Sequence, residues 1–291
     1  MNPLTKSKKS MGMELTDQGR EVALVLSSGG ARGLAHIGAI EELEAHGYHI
    51  RSIAGCSMGA LVGGVYAAGK LRELREIMKN VDKWKMLRLA DFSFSLDHIV
   101  KGEKVVETLR ELISDVKIEE LSIPFCAIST DWERGEEVVF REGSLLEAIR
   151  ASISLPALFD PRHQGGRILI DGGVMNPLPL NRVERREGDL LVAVDVSGHD
   201  YWGQQQTLKR FHRRRSKLFT RRNKVNYLSL LVRASSLMIR QNSLLMETIC
   251  PPDVLVDIQM NRYDGMDFDK SERLVEIGRR MTAKTLSEIS K

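Results

Sequence analysis

Two glycine-rich turns hold the residues whose types and spacing suit chemistry. The second turn, Gly55-Cys56-Ser57-Met58-Gly59, lies between a strand-like run and a helix-like run and matches a nucleophile elbow. In an elbow the serine occupies a sharp turn, so its neighbours must be small, and the next helix directs its positive end at the hydroxyl. Cys56 is a rival nucleophile. Because an elbow presents its middle residue, we predict Ser57 as the nucleophile and interpret Cys56 as a buried filler.

The first turn, Ser28-Gly29-Gly30-Ala31-Arg32-Gly33, follows another strand-like run and precedes another helix-like run. Free backbone N–H groups at such a helix start bind negative charge. A dinucleotide loop would need glycine at position 28 and an acidic residue after the next strand, and the sequence has neither. A P-loop is excluded because no Gly-Lys-Ser/Thr follows. An oxyanion hole and a simple tight turn remain as interpretations of this loop.

The base that would activate Ser57 is less obvious. No strong motif surrounds the histidines that follow Ser57 in the chain, which are His98, His163, His199 and His212. We place His163 in a loop. Asp171 ends an apolar strand and precedes Gly172 and Gly173, and strand ends are where α/β sheets place their sites. The residues alone leave two interpretations of Asp171: a base that contacts Ser57 directly, or an Asp-Gly turn.

Strand-like runs alternate with helix-like runs over most of the chain. The strands are predicted at 21–26, 50–54, 124–130, 136–140, the two runs RILIDGG and DLLVAVDVS, and 253–259. This alternation predicts an α/β protein with a largely parallel sheet flanked by helices. The glycine loop and the elbow then each follow the carboxyl end of a strand.

Charge is distributed unevenly along the chain, although the net charge of the 291 residues is only +4. Between Tyr201 and Met246 there are eleven Lys and Arg residues and no Asp or Glu. Residues 207–224 are strongly basic and are followed by leucines at near-helical spacing. A core-packing helix with a solvated basic lead-in is one interpretation. Peripheral binding of 207–245 to an anionic membrane is another, as is a protein partner. Nucleic acid is disfavoured because no recognised module is present.

Composition narrows the class of protein further. Ordinary proportions of apolar and charged residues exclude a disordered or collagen-like chain. No apolar run is long enough to span a bilayer, and the polar first residues do not form a secretory signal. Three widely spaced cysteines exclude a disulfide framework or zinc ribbon. We therefore expect a cytoplasmic protein, either soluble or peripheral at the inner membrane face.

Four segments resemble the patatin-like phospholipase family, in the family's order: LVLSSGGARGLAHIGAI, AGCSMGALVGGVYAAG, ASISLPALFDP and LIDGGVMNPLP. They cover roughly residues 21–198, and the terminal DVLVDIQ and FDKSERLVEIGRR are similar as well. The sequence departs from the family at Ser28, where many members have glycine. The following Gly-Gly-x-Arg-Gly is intact.

The resemblance implies a three-layer α/β/α sandwich with a mostly parallel central sheet. It also implies hydrolysis of acyl esters of phospholipids or lysophospholipids by a Ser–Asp dyad that needs neither metal nor cofactor. Carried onto this sequence, Ser57 is the nucleophile and Asp171 the proton acceptor. The oxyanion hole falls on Gly29, Gly30, Ala31, Arg32 and Gly33, and the glycines that support the motifs are Gly55, Gly59, Gly172 and Gly173.

The whole chain divides into four expected parts: a polar tail (1–20), the catalytic core (21–198), a basic amphipathic helical segment (199–249), and a strand and helix that complete the core (250–291). The alternative function is a regulatory or scaffolding protein on the same fold. Such a protein would bind a partner or membrane through the basic segment.

Overall fold

A computed structural model describes most of the chain. The described residues are 20–80, 103–156, 159–198, 227–259 and 267–289, together with Tyr263 and Gly265. The predicted N-terminal tail, apart from Arg20, and the basic run at 207–224 lie outside these residues.

Eight strands form one sheet within the described part of the chain. They are β1 (Glu21–Leu26), β2 (His49–Cys56), β3 (Phe125–Asp131), β4 (Glu136–Phe140), β5 (Arg162–Gln164), β6 (Arg167–Asp171), β7 (Leu190–Gly198) and β8 (Val254–Gln259). The order is β5-β6-β3-β2-β1-β7-β8, with β4 paired to β3 beside that path. All pairs among β3, β2, β1, β7 and β8 are parallel, and the pairs that involve β4, β5 and β6 are antiparallel.

The strand β3 brings two distant strand ends together. On one edge, β4 pairs along Ala127–Asp131. On the other edge, β2 pairs with the first part of β3, up to Ile128, and β6 pairs with the last part, from Ser129. The end of β2 and the end of β6 therefore meet at neighbouring positions of one strand. This arrangement places the residue after Cys56 beside Asp171.

Seven helices accompany the sheet in the described residues. They are α1 (Ala35–Ala45), α2 (Met58–Ala67), α3 (Leu71–Lys79), α4 (Glu103–Ile113), α5 (Leu145–Ser152), α6 (Tyr227–Ile249) and α7 (Ser271–Ile289). Short 3-10 helices follow β1 (Gly30–Leu34) and β6 (Gly172–Val174). None of the helices in these ranges is both long and apolar enough to span a bilayer.

Alternating side chains of β1 divide the core into two clusters. Val22, Leu24 and Leu26 join a large cluster with side chains from α1, α2 and α7, whereas Ala23 and Val25 join a smaller cluster that Met246 of α6 packs against. Burying one leucine or valine contributes about 1.5–3 kcal/mol, so both faces stabilise the sheet. Helices thus cover both faces of a mostly parallel sheet, and the predicted α/β/α class is confirmed.

The helices α1 and α7 approach each other closely at two glycines. A Cβ on Gly38 would lie 1.9 Å from the carbonyl oxygen of Val275, and a Cβ on Gly278 would lie 1.9 Å from that of Ala35. Neither position accepts a larger side chain without moving a helix. This contact attaches the C-terminal helix to the helix that follows the glycine loop.

The prediction of a loop around His163 is wrong. His163 lies in β5 and pairs with Ile168 of β6 through a tight hairpin. Gly165 and Gly166 form its turn with φ angles of 57° and 73°, values that favour a two-residue hairpin turn. The strand contains only Arg, His and Gln, so it has no apolar alternation from which a strand could be predicted.

Candidate active site

The nucleophile elbow is formed at Ser57, between β2 and α2. Ser57 has φ 54° and ψ −120°, a strained conformation for a residue with a side chain, and is 8% exposed. A Cβ at Gly59 would lie 2.3 Å from the carbonyl oxygen of Leu26, and one at Gly55 would lie 2.5 Å from that of Gly59. Close backbone contacts therefore require glycine at both flanking positions. The elbow motif in the sequence indicated the same steric requirement for small neighbours.

A serine from α5 holds the elbow in place. The N–H of Ser57 donates to Ser152 Oγ at 2.8 Å, and the Ser152 hydroxyl donates to the carbonyl of Ile128 at 2.5 Å. This relay ties the strained turn to β3. Sequence reasoning missed this role of Ser152, although the residue lies in one of the four family-like segments.

Asp171 contacts the elbow directly. The Ser57 hydroxyl donates to Asp171 Oδ2 at 2.5 Å, across 114 positions of sequence. The other oxygen, Oδ1, accepts the N–H of Gly173 at 2.7 Å, and Asp171 is only 1% exposed. At Gly172 a Cβ would lie 2.3 Å from the carbonyl oxygen of Ile128, which explains the first glycine after the aspartate.

Burial changes the acidity of this carboxyl. Burial raises the pKa of Asp171 to about 6, while the hydrogen bonds from Ser57 and from the N–H of Gly173 oppose the rise. The group is therefore ionised near neutral pH and is a stronger base than an exposed aspartate. Both properties suit a residue that must accept the proton of a serine hydroxyl.

The glycine loop packs against the elbow. A Cβ at Gly33 would lie 2.3 Å from Cγ of Met58, the residue after Ser57, and Arg32 Nε donates to the carbonyl of Gly29 at 3.1 Å. The N–H groups of Gly29 and Gly30 have no acceptor within the described part of the chain. The N–H of Ala31, in contrast, donates to the carbonyl of Gly265 at 2.7 Å.

Rival groups are poorly placed for catalysis. Cys56 is fully buried, and burial raises the pKa of its thiol well above its usual range, so the reactive thiolate is disfavoured.

His36 on α1 donates from Nε2 to the carbonyl of Ser27 at 2.9 Å, and burial lowers the pKa of His36 to about 4. His163 lies on the exposed hairpin, and His98, His199 and His212 lie outside the described residues.

Metal ligands are not grouped in the described ranges. No three His, Cys, Asp or Glu side chains there are placed to hold a metal ion.

Several known proteins resemble this chain in sequence or in fold. A sequence model of the Patatin-like phospholipase family matches residues 24–183, more than half of the chain. An uncharacterised NTE family protein of Mycobacterium tuberculosis is 46% identical over 179 residues, which cover 62% of this chain and 50% of that protein. The neuropathy target esterase sws of Drosophila melanogaster is 32% identical over 191 residues, which cover 62% of this chain and 13% of that protein.

The solved structure of VipD from Legionella pneumophila is similar in fold. It aligns with a TM-score of 0.50 at 14% identity and covers 91% of this chain and 66% of that chain. The chain spans half or less of the length of the curated relatives named above. The matched range nevertheless contains the glycine loop, Ser57 and Asp171, so the resemblance seen in the four segments is confirmed. This chain belongs to the patatin-like phospholipase family.

Proposed function

We propose that this protein is a serine acyl-ester hydrolase that acts on phospholipids, lysophospholipids or related acyl esters. One observation carries the proposal: a serine hydroxyl on a strained turn donates at 2.5 Å to a buried carboxylate. Family membership supports the lipid ester as the substrate class, and a relative named an esterase agrees with the hydrolysis of an ester.

Acylation begins with proton transfer from Ser57 to Asp171. The Ser57 oxygen attacks the ester carbonyl carbon as its proton passes to Asp171 Oδ2, and the carbonyl oxygen becomes an oxyanion. The N–H groups of Gly29 and Gly30 support an oxyanion hole, since each lacks an acceptor in the described chain. One preorganised donor of this kind contributes about 3 kcal/mol to transition-state stabilisation. Collapse breaks the ester bond, and the protonated Asp171 gives its proton to the leaving alcohol.

Deacylation repeats these steps with water. Asp171 takes a proton from water as the water oxygen attacks the acyl carbon. The second tetrahedral species then releases the fatty acid, and the proton returns to Ser57. The expected oxyanion hole extended to Ala31, Arg32 and Gly33. We propose Gly29 and Gly30 as donors and leave out only Ala31, because the N–H of Ala31 already donates to Gly265. The assignment of Arg32 and Gly33 stays a prediction.

Active-site labelling tests the nucleophile. A fluorophosphonate probe should label the wild type and the Cys56→Ala variant equally and should not label Ser57→Ala. Cys56→Ala is the matched control because it alters the adjacent rival nucleophile. Labelling of Ser57→Ala would reject the assignment. An unlabelled wild type would favour the regulatory or scaffolding alternative.

We also propose that the protein binds anionic membranes peripherally through the segment 207–245. In its described part, α6 exposes Leu237, Met238 and Leu245, and the exposed residues between 234 and 249 include no charged side chain. Asn242 Nδ2 donates to the carbonyl of Val174 at 3.1 Å, so α6 contacts the loop that follows Asp171. An apolar helix beside a lipid-hydrolysing site suits a bilayer surface.

Vesicle cosedimentation tests this binding. The wild type should sediment with phosphatidylglycerol-containing vesicles more than with phosphatidylcholine vesicles. Leu237→Glu and Leu245→Glu should each weaken that binding, whereas Ile289→Glu, at another exposed apolar residue, should not. Equal binding to both vesicle types, or no binding, would reject an electrostatic membrane contact and would leave a protein partner for this surface.

A further inference from the structure

Ser27, the last residue before the glycine loop, has a fully buried hydroxyl that makes two hydrogen bonds. The N–H of Val196 on β7 donates to Ser27 Oγ at 3.0 Å, and the hydroxyl donates to the carbonyl of Ser28 at 3.2 Å. Because the oxygen already accepts from β7, its proton is directed at Ser28. The hydroxyl therefore connects the end of β7 to the first peptide group of the loop.

The carbonyl that accepts this bond belongs to the same peptide group as the N–H of Gly29. A trans peptide group is planar, and its C=O and N–H point in opposite directions. Fixing the carbonyl of Ser28 therefore fixes the direction of the Gly29 N–H, one of the two donors proposed for the oxyanion hole. That N–H makes no hydrogen bond with the residues that the structure describes, so it is free to bind a ligand.

The preceding peptide group is held at both of its polar atoms. The carbonyl of Ser27 accepts from His36 Nε2 at 2.9 Å, and the N–H of Ser28 donates to the carbonyl of Pro177 at 2.8 Å. The loop therefore starts from a fixed plane. The orientation of the next peptide group then depends on the bond from the Ser27 hydroxyl.

The following peptide group is held by a different side chain. The carbonyl of Gly29 accepts from Arg32 Nε at 3.1 Å, and the same peptide group carries the N–H of Gly30. Glycine allows a wide range of backbone angles, so these peptide planes would be free to rotate if their carbonyls were not held. An oxyanion hole is effective because its donors are oriented before the charge develops.

We propose that Ser27 is a positioning residue that holds the N–H of Gly29 in the orientation that the oxyanion requires. The inference rests on the proposed hydrolase function. Ser27 acts through the carbonyl of Ser28 and gains and loses no proton during the reaction. Its removal should weaken the stabilisation of both tetrahedral species and leave the nucleophile and the base unchanged.

Substitution of Ser27 should lower the rate without weakening substrate binding. In Ser27→Ala, kcat and kcat/KM for p-nitrophenyl butyrate should each fall about tenfold, which corresponds to about 1.4 kcal/mol, and KM should stay within a factor of two. The p-nitrophenol burst and the decay of the acyl-enzyme should slow by similar factors, because each passes through an oxyanion. The pH at which kcat/KM reaches half of its plateau should not move, because Asp171 is unaltered.

A transition-state mimic gives a second readout. The Ser57 oxygen adds to the carbonyl carbon of an alkyl trifluoromethyl ketone as its proton passes to Asp171, and the carbonyl oxygen becomes an oxyanion. The Kd of this ketone should rise about tenfold in Ser27→Ala, in step with the fall in kcat/KM. A loss of stability alone would leave the Kd of the folded protein unchanged.

Two further variants separate orientation from packing. Ser27→Cys keeps the shape of the side chain but donates only weakly, so it should also lower kcat/KM, by at least threefold. It carries the test if Ser27→Ala fails to fold. Ser52→Ala removes another buried serine hydroxyl that donates to a backbone carbonyl, that of Glu184. Because Ser52 pairs with Ala23 near the start of β1, away from the glycine loop, its kinetics should match the wild type.

Contrary results are clearly defined for folded variants, as thermal unfolding establishes. Wild-type kcat/KM in Ser27→Cys would overturn the role of Ser27, as would a loss that comes from a higher KM, a shifted pH midpoint or an unchanged Kd of the ketone. An equal loss in Ser52→Ala would attribute the effect to stability and would also reject the role. A wild type that does not hydrolyse the ester would instead reject the hydrolase proposal itself.

Discussion

Asp171 illustrates how one buried residue combines two opposing requirements. A carboxylate that is 1% exposed lacks most of its hydration, and this raises its pKa and its basicity. The hydrogen bonds from Ser57 and Gly173 limit that rise, so the group still ionises below neutral pH. A fully solvated aspartate would ionise readily but would accept the serine proton poorly.

The pH dependence of hydrolysis should report this balance. Because only the ionised carboxylate accepts the Ser57 proton, kcat/KM should rise with pH and reach half of its plateau near pH 6, where Asp171 titrates. The measurement is initial-rate hydrolysis of a soluble ester between pH 4.5 and 8.5, with the ester's spontaneous hydrolysis subtracted. Asp171→Asn should remove the activity at every pH. A midpoint near pH 4, typical of an exposed aspartate, would contradict the argument.

At the scale of elements, close backbone contacts position the site more than side-chain packing does. The elbow needs Gly59 because α2 begins against the end of β1, and the aspartate turn needs Gly172 because it passes over β3. The contact between α1 and α7 also depends on glycine, because Gly38 and Gly278 each lie against a backbone carbonyl oxygen.

Substitution of Gly278 should separate helix propensity from packing. In an exposed helix, alanine is about 1 kcal/mol more favourable than glycine. Here its Cβ would lie 1.9 Å from the carbonyl oxygen of Ala35, so Gly278→Ala should lower the free energy of unfolding by about 1–3 kcal/mol. Ser287→Ala, at an exposed position of α7, should change it by less than about 0.5 kcal/mol. Urea unfolding measures both variants, and a Gly278→Ala protein more stable than the wild type would contradict the contact.

For the molecule as a whole, the attachment of α6 to the sheet depends on buried charge. Arg240 on α6 bonds Asp195 of β7 at 2.6 Å and lies 3.7 Å from Glu247. Burial, followed by the nearby charge of Asp195, raises the pKa of Glu247 to about 7, and Arg240 opposes the rise. The carboxyl groups of Asp195 and Glu247 outnumber the single guanidinium group of Arg240. The contact between α6 and the sheet therefore includes one carboxyl group, that of Glu247, whose neutral form is favoured.

Stability should therefore depend on pH through Glu247. Its pKa in the folded protein is above its unfolded value, so the folded state binds the extra proton between about pH 4.5 and 7, and this contribution to stability is lost as pH rises through 7. Glu247→Gln should raise the thermal midpoint at pH 8 relative to the wild type and change it little at pH 5. Glu288→Gln, at an exposed position of α7, is the matched control and should show no such dependence. An equal effect of Glu247→Gln at both pH values would be evidence against this assignment.

Much of the fold could be predicted from local patterns. Apolar runs separated by glycine turns indicate most of the strands and the parallel class, because burial and backbone geometry act over short stretches of chain. The hairpin around His163 escaped prediction because its short strand is polar and depends on pairing with β6. The hydrogen bonds made by Ser152 could not be predicted for a related reason. No local pattern shows that a serine at the end of a helix accepts the N–H of residue 57.

The candidate site likewise combines turns that local sequence determines with contacts that only the tertiary structure determines. Local sequence determines the strained turn at Ser57, the glycine loop and the Asp-Gly-Gly turn, because each depends on the sterics of a few adjacent residues. Only the tertiary structure decides that the hydroxyl and the carboxylate touch, because β2 and β6 must first share one edge of β3. It also decides that Ala31 donates to Gly265 while Gly29 and Gly30 have no acceptor among the described residues. Contacts of this kind depend on how distant segments pack against one another, and the spacing of residues along the chain does not determine that packing.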